Sequence, residues 1–192
     1  MIEILSLYNS ISNPDKQLFE SKVQSASYKK GHLLLMEGDI QDKLFLVRKG
    51  LLMTYLDKDD KRKVIDFAYK NRFAVDIHSF SNQAKSDFCI ECMEDSTIEF
   101  IAHEDLMNIF DASGETERAY RVLTEKILSA VIRRHLELSC LSIGERFYRL
   151  VSKRSELFGL VQHKYIASFL NIDPTNFSKL YKDFSKKPIK FY

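Results

Sequence analysis

The sequence predicts an α+β protein, with an antiparallel all-β unit in the N-terminal half, a long helix after it and a compact helical unit at the C-terminus. Three observations carry this. Between residues 28 and 102, brief apolar runs are separated by turn-forming clusters. Between residues 117 and 138, no Gly or Pro interrupts a pattern of apolar residues recurring at three and four. From 163 to 182, two short amphipathic stretches flank a residue that tolerates a left-handed turn.

In chain order, Asn13-Pro14 predicts a short opening helix, with Asn as cap and Pro at the first helical position, followed by Leu18, Phe19 and Val23 at helical spacing. The strands are expected at LLLM from Leu33, LFLV from Leu44, LLMTYL from Leu51, VIDFA from Val64 and TIEFIA from Thr97. The clusters EGD, KG and DKDDK separate them, and Gly31, Gly38 and Gly50 fall in turns. A short helix is expected over residues 104–110. The long helix over 117–138 carries Ala119, Val122, Leu123, Ile127, Val131 and Ile132, and about 20 residues at 1.5 Å each make it about 30 Å long. Its apolar stripe is wide enough to pack on the β unit and leave a seam for a second copy of itself; a core helix with no such contact is the other reading. Ser142-Ile143-Gly144-Glu145 then reads as a capping box that opens a helix with Phe147, Leu150 and Val151 inward, which puts a domain junction at 140–142.

Composition removes several classes. Hydrophobic residues make up 45% and charged residues 29% of the 192 residues, an ordinary globular mixture rather than a disordered or collagen-like one. No apolar run reaches the length of a membrane span, and MIEILSLYNS lacks the marks of a signal peptide, so a cytoplasmic location without membrane contact is expected. Cys89, Cys92 and Cys140 suit reduced thiols, because residues three apart on a strand face opposite ways and make C-x-x-C at 89–92 a poor metal or disulfide pair. His32, His78, His103, His135 and His163 show no metal-ligand spacing. No Gly-rich phosphate loop, G-x-S-x-G or H-E-x-x-H is present, so an enzyme is not expected.

Net charge is +2, but it is unevenly placed. From Arg133 onward there are 12 Lys or Arg against 5 Asp or Glu, a balance of +7, which leaves −5 for residues 1–132. The basic end is where a polyanion would bind. It also holds HKYIASFLNIDPTNFSKLYKDF. With His163 as position one, small Ala167 stands at five, Asn171 at nine, and Ile166, Leu170, Ile172, Phe177 and Leu180 at the apolar positions four, eight, ten, fifteen and eighteen. That spacing fits a helix-turn-helix, in which the helices cross closely at the small residue. Asp173-Pro174 restarts the second helix as cap and first residue, Phe177, Leu180 and Phe184 face inward, and Thr175, Asn176, Ser178, Lys179 and Lys182 are left outward as candidate DNA-contacting residues. A helical hairpin that only packs is the bland alternative.

Beyond these patterns, nearly the whole chain resembles the Crp/Fnr regulators (cyclic-AMP receptor protein and fumarate-nitrate regulator), and particularly their short bacteroidete-type members. The residues that carry the resemblance are Gly31, Glu37-Gly38-Asp39, Phe45-Leu46-Val47 with Lys49-Gly50, Ile90-Glu91 and Glu94-Asp95, then Glu145-Arg146, Lys164-Tyr165-Ile166-Ala167 and the recognition helix at 173–184. The resemblance implies a cyclic nucleotide-binding-like β-roll sensor at 1–115, a dimerisation helix at 116–140 and a helix-turn-helix domain at 141–192. It implies double-stranded DNA and a second copy of the chain as partners, and leaves RNA polymerase and a small-molecule effector open.

The sequence also departs from that family. Where the family commonly reads bases with a Glu and an Arg four residues later, this chain has Thr175 and Lys179, so its DNA site should differ. The tail SKKPIKFY after Phe184 is short for the usual two-stranded wing. In the nucleotide cassette, FAVDIHSFSNQAKSDFCIEC, Asp76 stands near the family's Gly-Glu pair and Asp87 near its phosphate-binding Arg, with Lys85 as the cation within the segment. A carboxylate there repels a cyclic phosphate, so a degenerate cassette with no cofactor is expected, and Asp76, Lys85 and Asp87 are only weak effector-binding candidates. A sensor or interaction protein of the same fold that no longer binds DNA is the alternative function.

Overall fold

The computed structural model describes residues 1–59 and 61–186. The chain divides into two compact units, Met1–Leu56 with Asp66–Leu128, and Asp57–Ile65 with Ser129–Tyr192. The fold is α+β, an antiparallel β-roll followed by helices, as the sequence predicts.

Two helices precede the roll, α1 (Ile2–Leu5) and α2 (Asn13–Lys22). The first carries no turn or cap signal and was not foreseen. The second is capped one residue earlier than expected: Ser12, in extended conformation, accepts from the Asp15 N–H at 3.3 Å, and Asn13-Pro14 lie in the first turn. A hydroxyl at the last extended residue serves an orphan amide that Asn13, already helical, cannot reach.

The roll is made of β1 (Gln24–Tyr28), β2 (Leu33–Leu35), β3 (Lys43–Lys49), β4 (Leu51–Lys58), β5 (Lys61–Tyr69), β6 (Phe73–Ala74), β7 (Cys89–Cys92) and β8 (Ser96–Ala102), with α3 (Ile77–Asn82) between β6 and β7. They form sheets of order β1-β8-β3-β6 and β2-β7-β4-β5. The register of β3 on β8 explains why four consecutive β3 residues are buried. Phe45 pairs with Phe100 and Val47 with Ile98, on the face that lines the roll. Leu44 pairs with Ile101 on the opposite face, which with Leu46 packs against Leu5, Phe19, Leu106 and Ala119 of the helical layer. Alternation puts successive residues on opposite faces, and here both faces are dry.

At the edge of that second face, Arg48 joins Glu99 and Glu3, at 2.7 Å each, and the amino group of Met1 meets Glu99 at 2.5 Å. The guanidinium holds the Glu3 carboxyl down at about 2. Burial pushes Glu99 the other way, but Arg48 and the amino group outweigh it and keep its pKa lowered. Gly50, between β3 and β4, has φ +96°, and a Cβ there would stand 2.2 Å from Ser96 Oγ. Only glycine fits both the left-handed backbone and that contact.

After the roll come α4 (His103–Ala112) and α5 (Gly114–Cys140), each longer than the sequence pattern. Ser113 lengthens α5 at its start by accepting from the Thr116 N–H. Along α5, Thr116, Ala119 and Leu123 are buried, whereas Leu128, Val131, Ile132 and Leu136 are each more than half exposed. Cys89, Cys92 and Cys140 are free thiols, and burial pushes the Cys92 thiol up.

Candidate nucleic-acid interface

The C-terminal unit is built from α6 (Ile143–Arg154), α7 (Leu157–Leu160), α8 (His163–Leu170) and α9 (Pro174–Lys186). The capping box is present at the start of α6: Glu145 N–H donates to Ser142 Oγ at 3.3 Å and Ser142 N–H to Glu145 Oε2 at 2.9 Å. Its neighbour Arg146 is buried and donates to the Leu138 carbonyl at 3.4 Å, tying α6 to the last turns of α5. Glu137 meets Arg149 and Lys153 at 3.2 and 3.3 Å, a second tie between the same helices.

The turn forms as its sequence requires. Asn171 takes the left-handed conformation, φ 51° and ψ 50°, and the N–H of Ile172 returns to the Ala167 carbonyl at 2.9 Å. Ala167 is 1% exposed, which is why a larger residue would push the helices apart. Asp173 closes the start of α9, its carboxylate accepting from the Thr175 N–H at 2.8 Å. That bond chiefly holds the Asp173 carboxyl below its ordinary value, and the charge of Lys61 adds to it.

Beneath α9 lies an aromatic core. Phe147 contacts Phe158 and Phe177 at 5.6 Å and Phe184 at 6.1 Å between ring centres, and Tyr181 lies 4.2 Å from the His163 ring. Phe177 is fully buried, while Leu180, Tyr181 and Phe184 are half-buried, so Tyr181 shares the inward face that the sequence assigned to the other three. Thr175, Asn176, Ser178, Lys179 and Lys182 are all exposed. At 3.6 residues per turn they span an arc of about 160° opposite Phe177. Thus α9 presents a polar face that carries Lys179 and Lys182, with exposed Asp183 in the same arc, over a packed underside. Part of the expected tail, residues 187–192, lies outside the described residues.

The cassette residues are arranged differently. Asp76 is buried and caps α3: one carboxylate oxygen accepts from Ser79 N–H at 3.2 Å and the other from Ser86 Oγ at 2.7 Å, while its own N–H donates to Gln41 Oε1 at 2.7 Å. Lys85 and Asp87 are exposed, Lys85 bridging to Ile40. A cleft of about 400 Å³ in this unit lies elsewhere, against Phe80, His103, Met107, Phe110, Tyr120 and Thr124.

Comparison with known proteins places this half of the chain. Residues 25–113 match the cyclic nucleotide-binding domain family. No curated protein matches the sequence. Among solved structures, FixK2 from Bradyrhizobium japonicum is similar at a TM-score of 0.74 and 14% identity, over 88% of each chain. A protein described as a transcriptional regulator of the crp/fnr family, from Eubacterium rectale, is similar at 0.70 and 18%, over 99% of this chain and 91% of the other. The c-di-GMP-responsive global regulator CLP of Xanthomonas campestris is similar at 0.68 and 14%, over 94% and 95%. At such identities the likeness is one of fold, and it extends beyond the cyclic nucleotide-binding domain through the C-terminal helices. Among the described residues, no helix is long and apolar enough to cross a membrane.

Sequence reasoning missed the residues that position the interface from a distance. Arg134 stacks on the Phe169 ring at 4.2 Å and donates to the Phe169 carbonyl. Ser168 hydrogen-bonds the Val64 N–H, 104 residues away. No local pattern signals such pairs.

Proposed function

We propose that this chain is a transcription regulator that binds double-stranded DNA as a homodimer, α9 entering the major groove and the β-roll serving as sensor. The observation that carries the reading is the exposed stripe Thr175, Asn176, Ser178, Lys179 and Lys182 on a helix whose other side is packed. Asn can pair with adenine and Lys can donate to guanine, whereas Lys182, a turn further on, is expected to meet phosphate. The exposed apolar residues Leu128, Val131, Ile132 and Leu136 on α5 supply a seam for a second copy. Similarity of fold to regulators supports the same reading.

Within this proposal the working parts are the sensor at 1–115, the dimerisation helix at 116–140 and the DNA-binding domain at 141–192, with kinship to the bacteroidete-type members. RNA polymerase as a further partner, and a small effector acting through the roll, stay open within this proposal. With Asp76 committed to the α3 cap, the cassette offers a cyclic phosphate little positive charge, so cyclic AMP is not that effector.

Selection of bound duplexes from a random pool tests the function. The expected product is a two-fold symmetric site whose affinity falls steeply with salt. Failure to retain any duplex at low salt would instead mark a sensor or interaction protein that has lost DNA binding. Val131→Asp is expected to give monomers by sedimentation, and a monomeric wild type at micromolar concentration would remove the dimer.

A further inference from the structure

We propose that the β4–β5 hairpin is a second arm of the DNA interface, in which Lys61 and Lys63 contact phosphates beside the groove entered by α9. The inference rests on the reading of α9 as the DNA-binding helix and extends it to a segment outside the helix-turn-helix. The hairpin tip, Asp57–Ile65, belongs to the C-terminal unit.

Its attachment there is specific. β5 is the edge strand of its sheet, so the backbone groups on its outer side lack a neighbouring strand. Ser168 of α8 serves two of them with one hydroxyl, accepting from the Val64 N–H at 3.0 Å and donating to the Arg62 carbonyl at 2.9 Å. That is the carbonyl and N–H pair, two residues apart, that a residue on a parallel neighbouring strand would use. Val64 is buried at this junction.

Side chains alternate along a strand, so Lys61 and Lys63 share the face opposite Arg62 and Val64, and both are exposed. The charge of Lys61 adds, as the smallest of several influences, to holding Asp173 at the start of α9 ionised. A bare carboxylate at that end would repel a phosphate, and Lys61 offsets it. Residues 57–63 read DKDDKRK, so the second half of this segment is cationic. Lysine, a compact charge on a flexible stem, suits phosphate better than base recognition.

The test compares wild type, Lys61→Ala/Lys63→Ala, Lys179→Ala and Ser168→Ala by fluorescence anisotropy on the selected operator and a scrambled duplex across a salt series, with circular dichroism confirming each fold. The double lysine variant is expected to weaken binding to both duplexes alike. Its slope of log affinity against log salt should be shallower by about two per bound protomer. Ser168→Ala removes no charge but frees the hairpin, so it should lose part of the same slope and add nothing to the double variant. If the double variant keeps the wild-type slope while Lys179→Ala loses operator preference, the hairpin plays no part and α9 stands alone. Tighter binding by the double variant would mean that the hairpin obstructs DNA, and that too overturns the inference. A wild type that binds neither duplex fails the DNA-binding reading itself.

Discussion

The cassette segment of the β-roll and helix α9 both carry exposed charge, yet they use their polar groups in opposite ways. In the cassette, Asp76 spends both carboxylate oxygens on Ser79 and Ser86 and its N–H on Gln41, holding α3 in place. On α9, Asp173 caps the start of the helix together with Thr175, whose N–H and side chain both bond its carboxylate, and Asn176, Lys179 and Lys182 stand outward on a helix held by Phe177. A polar residue with an internal obligation builds the fold; one relieved of it by its neighbours is available to a ligand.

The largest expected effect tests the underside of α9. Phe147→Ala removes the ring that Phe158, Phe177 and Phe184 share, and should cost about 3–5 kcal/mol in the C-terminal unit. Hydrogen exchange should accelerate over residues 143–186 and stay unchanged in the roll strands; equal acceleration in both would mean that the regions do not differ in this way.

Next come the outward residues. Asn176→Ala and Lys179→Ala should each remove about 1–3 kcal/mol of discrimination at one base position without lowering the melting temperature. Asp76→Ala should do the reverse, costing about 1–2 kcal/mol of stability through the lost cap and leaving DNA affinity intact. Equal loss of operator and scrambled binding in both α9 variants would show that α9 does not read bases.

The smallest effect concerns acid. The Glu3 carboxyl, held at about 2 by Arg48 against an ordinary 4.5, is stabilising above the ordinary value and loses that contribution as pH falls from about 4.5 towards 2. Glu99, also lowered, acts in the same direction. The side chain of Glu3 is 69% exposed, so solvent screens most of its share. Glu3→Gln should therefore flatten only slightly the acid limb of a stability–pH curve; a curve steeper than wild type would contradict the sign.

Much of this was legible in the chain because it is local. The capping box at Ser142, the left-handed Asn171, small Ala167 and the outward stripe of α9 each depend on residues within a few positions of one another. Strands β2, β3, β4, β5 and β8 were legible as apolar runs between turn residues such as Gly50, whereas β1 and β6 lie outside those runs. What escaped was decided across long separations. Nothing near Asp76 announces that Gln41 and Ser86 will occupy it, nothing near Ser168 points to Arg62 and Val64, and α1 is too short to carry a helical period. The cap of α2 moved to Ser12 because neighbouring residues compete for one duty, and only the backbone conformation decides between them.

The place of β8 in its sheet bears on the order in which the molecule assembles. It lies between β1 and β3, pairing Gln24 with Phe100 and Leu44 with Ile101. Neither pairing can begin until residue 100 has left the ribosome, and each must close a long loop before any contact rewards it. The helices of the C-terminal unit close short loops, so in refolding from denaturant their amides should gain protection first, with β1 and β8 among the last. During that interval β3 exposes an apolar face on each side, and the roll rather than the C-terminal helical unit is the part of the newborn chain most in need of a chaperone.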